Sequence, residues 1–111
     1  AHNPRRMDYY RKYSEIIDDY NRQLAILARL LENTQQVRYR FNQSRTNYRD
    51  QIAQAGQHKF MGDYVTQLEH RFQEFSGFTD KLLEQLARVE IEIAGQNQRI
   101  NRLRIAAQQN H

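Results

Sequence analysis

The stretch YRKYSEIIDDYNRQLAILARLL, residues 10–31, decides the fold, because its apolar residues return in alternating steps of three and four. The same rhythm continues, with no proline, as far as Ala55. Eleven of the fourteen positions are apolar or aromatic, and the exceptions are Thr34, Arg38 and Arg45. This first seam consists of Tyr10, Tyr13, Ile17, Tyr20, Leu24, Leu27, Leu31, Thr34, Arg38, Phe41, Arg45, Tyr48, Ile52 and Ala55. A spacing near 3.5 residues over this length predicts a coiled-coil helix.

A second seam with the same period follows a short break. Gly56 stands directly after the first seam, where a glycine commonly ends a helix, and Asp63 can cap the next one. Twelve of the fourteen positions in the second seam are apolar, and the exceptions are Thr79 and Gln96. This seam consists of Met61, Val65, Leu68, Phe72, Phe75, Thr79, Leu82, Leu86, Val89, Ile93, Gln96, Ile100, Leu103 and Ala107.

Two seams of similar length joined by one break predict an all-α fold, an antiparallel two-helix coiled-coil hairpin formed by residues 1–111 as a single unit. We expect helix 1 over about 4–55, a turn over about 56–62 and helix 2 over about 63–108. Asn3 and Pro4 supply the start signal for helix 1. Folding about this turn is expected to pair Ile52 with Val65, Phe41 with Phe75, Leu31 with Leu86 and Ile17 with Ile100.

The composition argues against several classes of protein. The 111 residues include no cysteine, so the chain has neither a disulfide nor a thiolate metal site. No apolar run approaches the length of a membrane span. Seventeen basic and thirteen acidic residues give a net charge of +4, and such a mixture is typical of a solvated helix surface. We leave the first six residues, AHNPRR, out of the functional argument, because Met7 is a candidate native start.

Neither catalytic nor metal-binding motifs are present. The sequence has no glycine-rich phosphate loop, no Ser-His-Asp order and no HExxH. His70 and Glu74 stand four residues apart, but without a third ligand they indicate a surface pair. A two-helix hairpin also lacks the concave pocket that catalysis usually needs. We therefore expect a non-enzymatic protein with no cofactor and no metal.

Basic clusters at 5–12, 38–41 and 99–104 raise the possibility of nucleic-acid binding, because tyrosines interleave with the first two. Acidic residues dilute the first cluster, and no recognised nucleic-acid-binding fold fits. A docking surface for a protein partner is the favoured interpretation.

The middle of the hairpin is predicted to be its weakest part. Gly77 and Thr79 are expected to lie at the same height as the polar seam residues Thr34, Arg38 and Arg45. One interpretation is register control, because polar seam residues oppose sliding by a heptad. The other is a bendable section that presents Phe78 to a partner, since glycine weakens a helix. A seam arginine needs an acid, and the candidates are Asp80, Glu74 and Glu84.

From Tyr48 onward the chain resembles the FliJ/YscO family of bacterial type III export systems. The likeness is carried by Tyr48-Arg49 before the turn, Ala55-Gly56 at the turn, then Tyr64, Leu68 and the segment 82–94. It implies a cytoplasmic coiled-coil stalk or escort protein of a flagellar or virulence export apparatus. Such a protein binds and regulates the export ATPase ring and contacts the export gate or chaperones. By this resemblance Arg99, Arg102 and Arg104 are candidates for entering the ring, and Tyr39, Tyr64 and Phe78 for contacting a second partner.

Two alternatives remain open. A further apolar stripe, formed by Tyr9, Ile16, Leu30 and Val37, either widens the core or mediates self-association in a coiled-coil adaptor or oligomeric scaffold. Phe60-Met61-Gly62 occupies the turn where secreted WXG-type hairpins place Trp-x-Gly, although tryptophan is absent.

Overall fold

Two long helices make up almost all of the protein. The structure is a computed structural model that describes residues 4–110, so the proposed cap Asn3 lies outside the described residues. Helix α1 spans Pro4–Ala55 and helix α2 spans Gly62–Gln109, with a 3₁₀ helix at Lys59–Met61 between them. The predicted all-α helical hairpin is confirmed, and both helices begin and end within one residue of the expected positions.

The turn is more helical than the sequence suggests. The Gly56 amide donates to the Ile52 carbonyl at 2.9 Å, and the His58 amide donates to the Ala55 carbonyl at 3.2 Å. The chain leaves the helical path at His58, which is extended with φ −103° and ψ 112°. Gly56 therefore does not end α1 in the left-handed conformation expected after a helix, and no glycine within residues 4–110 has a positive φ.

The start of α2 also differs from the expected cap. The helix begins at Gly62, which places Asp63 inside the first turn. A carboxylate there is favoured by the positive end of the helix dipole. The first turn is held further by the Thr66 hydroxyl, which donates to the Gly62 carbonyl at 3.1 Å.

The chain packs as two units, and both helices contribute a segment to each. We call residues 33–89, which include the turn, the turn unit, and residues 4–32 with 90–110 the terminal unit. All residues of the turn unit are described, and Thr79 alone among them is buried. In the described part of the terminal unit only Ile93 and Ile100 are buried. Each unit therefore has a very small core of its own.

The pairing of the helices in the turn unit is displaced from the expected register by up to one heptad. The Tyr48 ring stacks on Phe75 with centroids 5.7 Å apart, whereas Phe41, seven residues earlier, was the expected partner of Phe75. Tyr48 also contacts Phe72 at 5.6 Å. The displacement follows from the turn, because helical hydrogen bonds that continue to His58 move the reversal toward Lys59–Met61.

The seam of α1 is regular. Thirteen of its fourteen predicted positions are half-buried, and the exception is Tyr10, which is exposed. Strict alternation of three and four keeps one stripe of a helix facing the same way over many turns. The polar residues Thr34, Arg38 and Arg45 are half-buried on this stripe together with its apolar members.

After Leu86 the seam of α2 departs from the prediction at three positions, whereas the predicted positions Ile93 and Ile100 are buried and Ala107 is half-buried. Val89 and Leu103 are both 42% exposed, and Gln96 is exposed as well. Glu90 and Arg104, each one residue later, are half-buried in their place. The less exposed positions therefore run in two consecutive steps of four, from Leu82 to Leu86 to Glu90, and each step of four carries the next side chain ~40° past a full turn.

Candidate partner-binding surfaces

One edge of the turn unit is closed by polar side chains around Arg45. Its Nη1 donates to Asp80 Oδ1 at 2.6 Å and to Ser76 Oγ at 3.3 Å. Its Nη2 donates to Asn42 Oδ1 at 3.0 Å. The Arg45 side chain is only 21% exposed. Its bonds to Ser76 and Asp80 connect the two helices, and its bond to Asn42 lies within α1. We call Asn42, Arg45, Ser76 and Asp80 the polar edge.

The other edge of the turn unit is an open apolar groove of about 260 Å³. Its lining residues are Val37, Phe41, Leu82, Gln85, Leu86 and Val89. Phe78 precedes Leu82 by one helical turn and therefore lies on the same face of α2. The Phe78 side chain is 59% exposed, and Val37 and Val89 are 38% and 42% exposed. We call Val37, Phe41, Phe78, Leu82 and Val89 the apolar edge.

Helix geometry explains why the two edges lie apart. Val37 and Gln85 each come one residue before a seam position, whereas Asn42 and Ser76 each come one residue after a seam position. Successive side chains are about 100° apart around a helix, so residues before and after a seam position project to opposite sides of it. The groove lining brings Val37 and Gln85 together on one side, and the bonds of Arg45 bring Asn42 and Ser76 together on the other.

The predicted weak middle layer is packed differently from expectation. Thr79 is 0% exposed and is the largest fully buried side chain, so its position is closed rather than loose. Its Oγ1 has no hydrogen-bond partner among residues 4–110. Gly77 lies on the exposed side of α2, and a Cβ placed there would meet nothing within 4 Å. Of the three candidate acids for Arg45, the structure selects Asp80.

The three candidate arginines of the terminal unit have two different environments. Arg99 and Arg102 are exposed. Arg104 is half-buried, and its Nη1 donates to Asn21 Oδ1 at 3.1 Å while its Nη2 donates to Asn101 Oδ1 at 2.7 Å. Its guanidinium therefore joins the two helices, and we assign Arg104 a structural role.

The three candidate aromatic residues do not form one surface. Tyr39 is 66% exposed and lies two residues after Val37, which places it well around α1 from the apolar edge. Tyr64 is 49% exposed and lines a shallow groove beside the turn together with His58. Phe78 alone belongs to the apolar edge.

Residues 4–110 contain no group of three or more His, Asp or Glu side chains placed to hold a metal ion. His70 Nε2 lies 3.2 Å from Glu74 Oε1, and both side chains are exposed, as expected of a surface pair. Within the same residues, neither helix has a segment apolar enough to cross a membrane.

Comparison with known proteins returned no match to a family model, a curated protein or a solved structure. The resemblance to FliJ/YscO proteins, carried by the residues from Tyr48 onward, therefore stays a prediction.

Proposed function

We propose that this protein is a non-enzymatic, cytoplasmic stalk or escort protein of a bacterial type III export apparatus, flagellar or virulence-associated. In this role it binds and regulates the export ATPase and contacts the export gate or chaperones. The family proposal rests on the resemblance of the chain from Tyr48 onward. The structural observation that supports it is the hairpin, whose helices of 52 and 48 residues are joined by residues 56–61.

A hairpin with so few buried residues suits a protein that acts through its outer surface. Most side chains of both helices face outward, where they are accessible to other proteins. The exposed Arg99 and Arg102 are the favoured contacts with the ATPase ring, because neither is described in an ion pair. Arg104 is a poorer choice, since its replacement would also remove the bonds to Asn21 and Asn101.

The test uses the purified protein and the export ATPase encoded alongside it. We expect the two proteins to bind in a pull-down, and we expect this protein to change the rate of ATP hydrolysis. The double variant Arg99→Glu/Arg102→Glu should weaken both effects. The matched control is Lys59→Glu, which reverses an exposed charge in the turn. Absence of binding and an unchanged hydrolysis rate would rule out the stalk role.

A second candidate function is a coiled-coil adaptor or scaffold, and the observation that favours it is the apolar edge. Exposed apolar side chains at helical spacing commonly mark a protein contact. This role requires no ATPase, so a protein that leaves ATP hydrolysis unchanged but binds another helical partner would support it over the first.

A further inference from the structure

The bonds between the helices at the polar edge have a counterpart one heptad away. Arg45 is bonded to Ser76 and Asp80 across the seam. Seven residues earlier on the same half-buried stripe of α1 stands a second arginine, Arg38. A coiled-coil helix presents the same face every seven residues, so a displacement of α1 by one heptad would bring Arg38 to Ser76 and Asp80. We call the pairing in the structure the observed register and this displaced pairing the shifted register.

The aromatic contact of the turn unit has a counterpart at the same spacing. The Tyr48 ring stacks on Phe75 and contacts Phe72. Phe41 stands seven residues before Tyr48, so in the shifted register its ring takes this position. A displacement of three residues would bring Arg45 to the two phenylalanines instead. The seam therefore disfavours small displacements but permits one of a full heptad, which is the pairing of Phe41 with Phe75 expected from the sequence.

The shifted register also supplies Arg45 with an acid. Glu69 lies seven residues before Ser76 on α2, so Arg45 reaches Glu69 when Arg38 reaches Ser76. Glu69 is exposed, and in the observed register it forms no ion pair with any residue from 4 to 110. Each of the two seam arginines therefore has a carboxylate in the shifted register, Asp80 for Arg38 and Glu69 for Arg45.

The buried hydroxyl of Thr79 favours the same displacement. Thr79 is 0% exposed, and its Oγ1 has no hydrogen-bond partner within residues 4–110. Its neighbour Asp80 is bonded to Arg45, so Thr79 lies level with this part of α1. In the shifted register the segment 34–38 takes that level and brings the hydroxyl of Thr34 towards Thr79. A hydrogen bond between the two hydroxyls would offset the cost of burying an unpaired one.

The terminal unit repeats its contact between the helices in the same way. Arg104 on α2 donates to Asn21 on α1. Ser14 stands seven residues before Asn21, and its hydroxyl oxygen is also an acceptor. The other bond of Arg104, to Asn101, lies within α2 and does not depend on the register.

The turn can absorb such a displacement. In the observed register helical hydrogen bonds continue past Ala55 to the amide of His58, and the His58 side chain forms no capping bond to the 3₁₀ helix. A shift of one heptad moves the reversal of the chain by about half a heptad towards Gly56. Gly56 is suited to end α1 in a left-handed conformation, and the 3₁₀ helix Lys59–Met61 directly precedes α2 and can lengthen it.

We propose that the hairpin exchanges between two registers one heptad apart, with α1 moving about 10 Å along α2. The observed register is favoured by Arg49, whose guanidinium lies 5.5 Å from the centroid of the Phe72 ring, because the residue seven before Arg49 is the uncharged Asn42. The exchange controls the apolar edge, since Phe41 lines the groove in the observed register and leaves it in the shifted register. A partner that contacts this groove therefore stabilises the observed register.

Distances between spin labels measure the two registers. The chain has no native cysteine, so Gln36→Cys and Gln67→Cys introduce label sites at two exposed positions of the turn unit. Pulsed electron paramagnetic resonance then gives the distribution of distances between the two labels. The shifted register should give a peak about 10 Å shorter than the observed register, because the displacement carries Gln36 along α2 towards Gln67.

Tyr48→Leu should move this distribution towards the shorter distance. It removes the ring stack of the observed register, whereas Phe41 supplies that stack in the shifted register, so the ratio of shifted to observed molecules should rise about tenfold. Phe41→Leu is the matched control and should leave the longer distance in place. An unchanged distribution in Tyr48→Leu, or an equal shortening in Phe41→Leu, would overturn the proposal. Circular dichroism checks that each variant keeps its helices.

A pair of disulfide traps tests the exchange with the residues of the polar edge and the ring stack unchanged. Ile52→Cys/Val65→Cys brings two thiols together only in the shifted register. Ala55→Cys/Leu68→Cys joins two residues that line one groove beside the turn in the observed register. Both disulfides should form in a glutathione redox buffer, and closure of the second pair alone would contradict the exchange. The result does not depend on the export ATPase, so failure of the stalk role leaves this proposal standing.

Discussion

The polar and apolar edges of the turn unit flank the same seam, yet they have opposite chemistry. On the polar edge, Arg45 is covered by bonds to Asn42, Ser76 and Asp80. On the apolar edge, Phe78 and Val89 remain exposed beside a groove. The difference indicates that the hairpin uses one edge to hold its own helices in register and leaves the other available to a partner. Four experiments test this division.

The largest expected effect comes from a matched pair of phenylalanines. Phe75 is half-buried and stacks on Tyr48, so Phe75→Ala should lower the free energy of unfolding by about 2–3 kcal/mol. Phe78 is exposed, so Phe78→Ala should change it by less than about 0.5 kcal/mol. Urea unfolding followed by circular dichroism measures both values. Similar losses for the two variants would mean that the apolar edge is part of the core.

The second effect concerns Thr79, which lies on the seam between the edges. Its buried hydroxyl has no partner among residues 4–110, so Thr79→Val keeps the shape and removes an unsatisfied polar group. We expect a gain of about 1–2 kcal/mol in unfolding free energy. A loss in the same urea assay would instead mean that the hydroxyl is hydrogen-bonded, and Thr79→Ser then serves as the control that retains it.

Gly77 tests the proposed bendable section beside Phe78. A Cβ at this position meets open space, so Gly77→Ala should stabilise the helix by about 1 kcal/mol. Gly95→Ala is the matched control in the terminal unit, where a Cβ also meets nothing. Binding of Gly77→Ala to the export ATPase, measured in the pull-down described above, decides the functional question. Unchanged affinity would remove the hinge hypothesis and leave register control as the role of this layer.

The smallest expected effect is the ion pair of the polar edge. A double-mutant cycle with Arg45→Met and Asp80→Asn should give a coupling of about 0.5 kcal/mol, because the Asp80 side chain is 66% exposed and water screens the pair. The coupling should decrease with added salt. A value near zero would mean that the hydrogen bonds of Arg45 to Asn42 and Ser76, rather than the ion pair, stabilise this edge.

The sequence was sufficient for the helices and for the half-buried stripe of α1. Strict three-four spacing from Tyr13 to Ala55 places the apolar residues on one stripe of the helix, and that stripe is half-buried in the structure. The register was not predictable in the same manner, because it depends on whether the turn continues helical bonding after Ala55. Gly56 suggested that the helix would stop there, whereas its amide bonds to Ile52 as in a helix.

The candidate surfaces were only partly accessible from sequence. Phe78 was correctly expected to be exposed, but Val89 was assigned to the seam and therefore missed as part of a groove. Thr79 was expected to mark a weak layer, since polarity alone does not reveal that a small side chain is fully enclosed. The sequence carried no signal for the exposure of Val89, because the half-buried residue that follows it is the charged Glu90.

The two consecutive steps of four between Leu82 and Glu90 have a consequence for how such a surface can arise. Val89 is a residue suited to a core, and it faces outward only because the buried stripe of α2 passes to Glu90. Val89 therefore lines the groove because of its position on the helix, and no additional apolar residue is needed to form that wall. A local change in which side of the helix is covered is enough to expose an apolar side chain, with the amino acid itself unchanged.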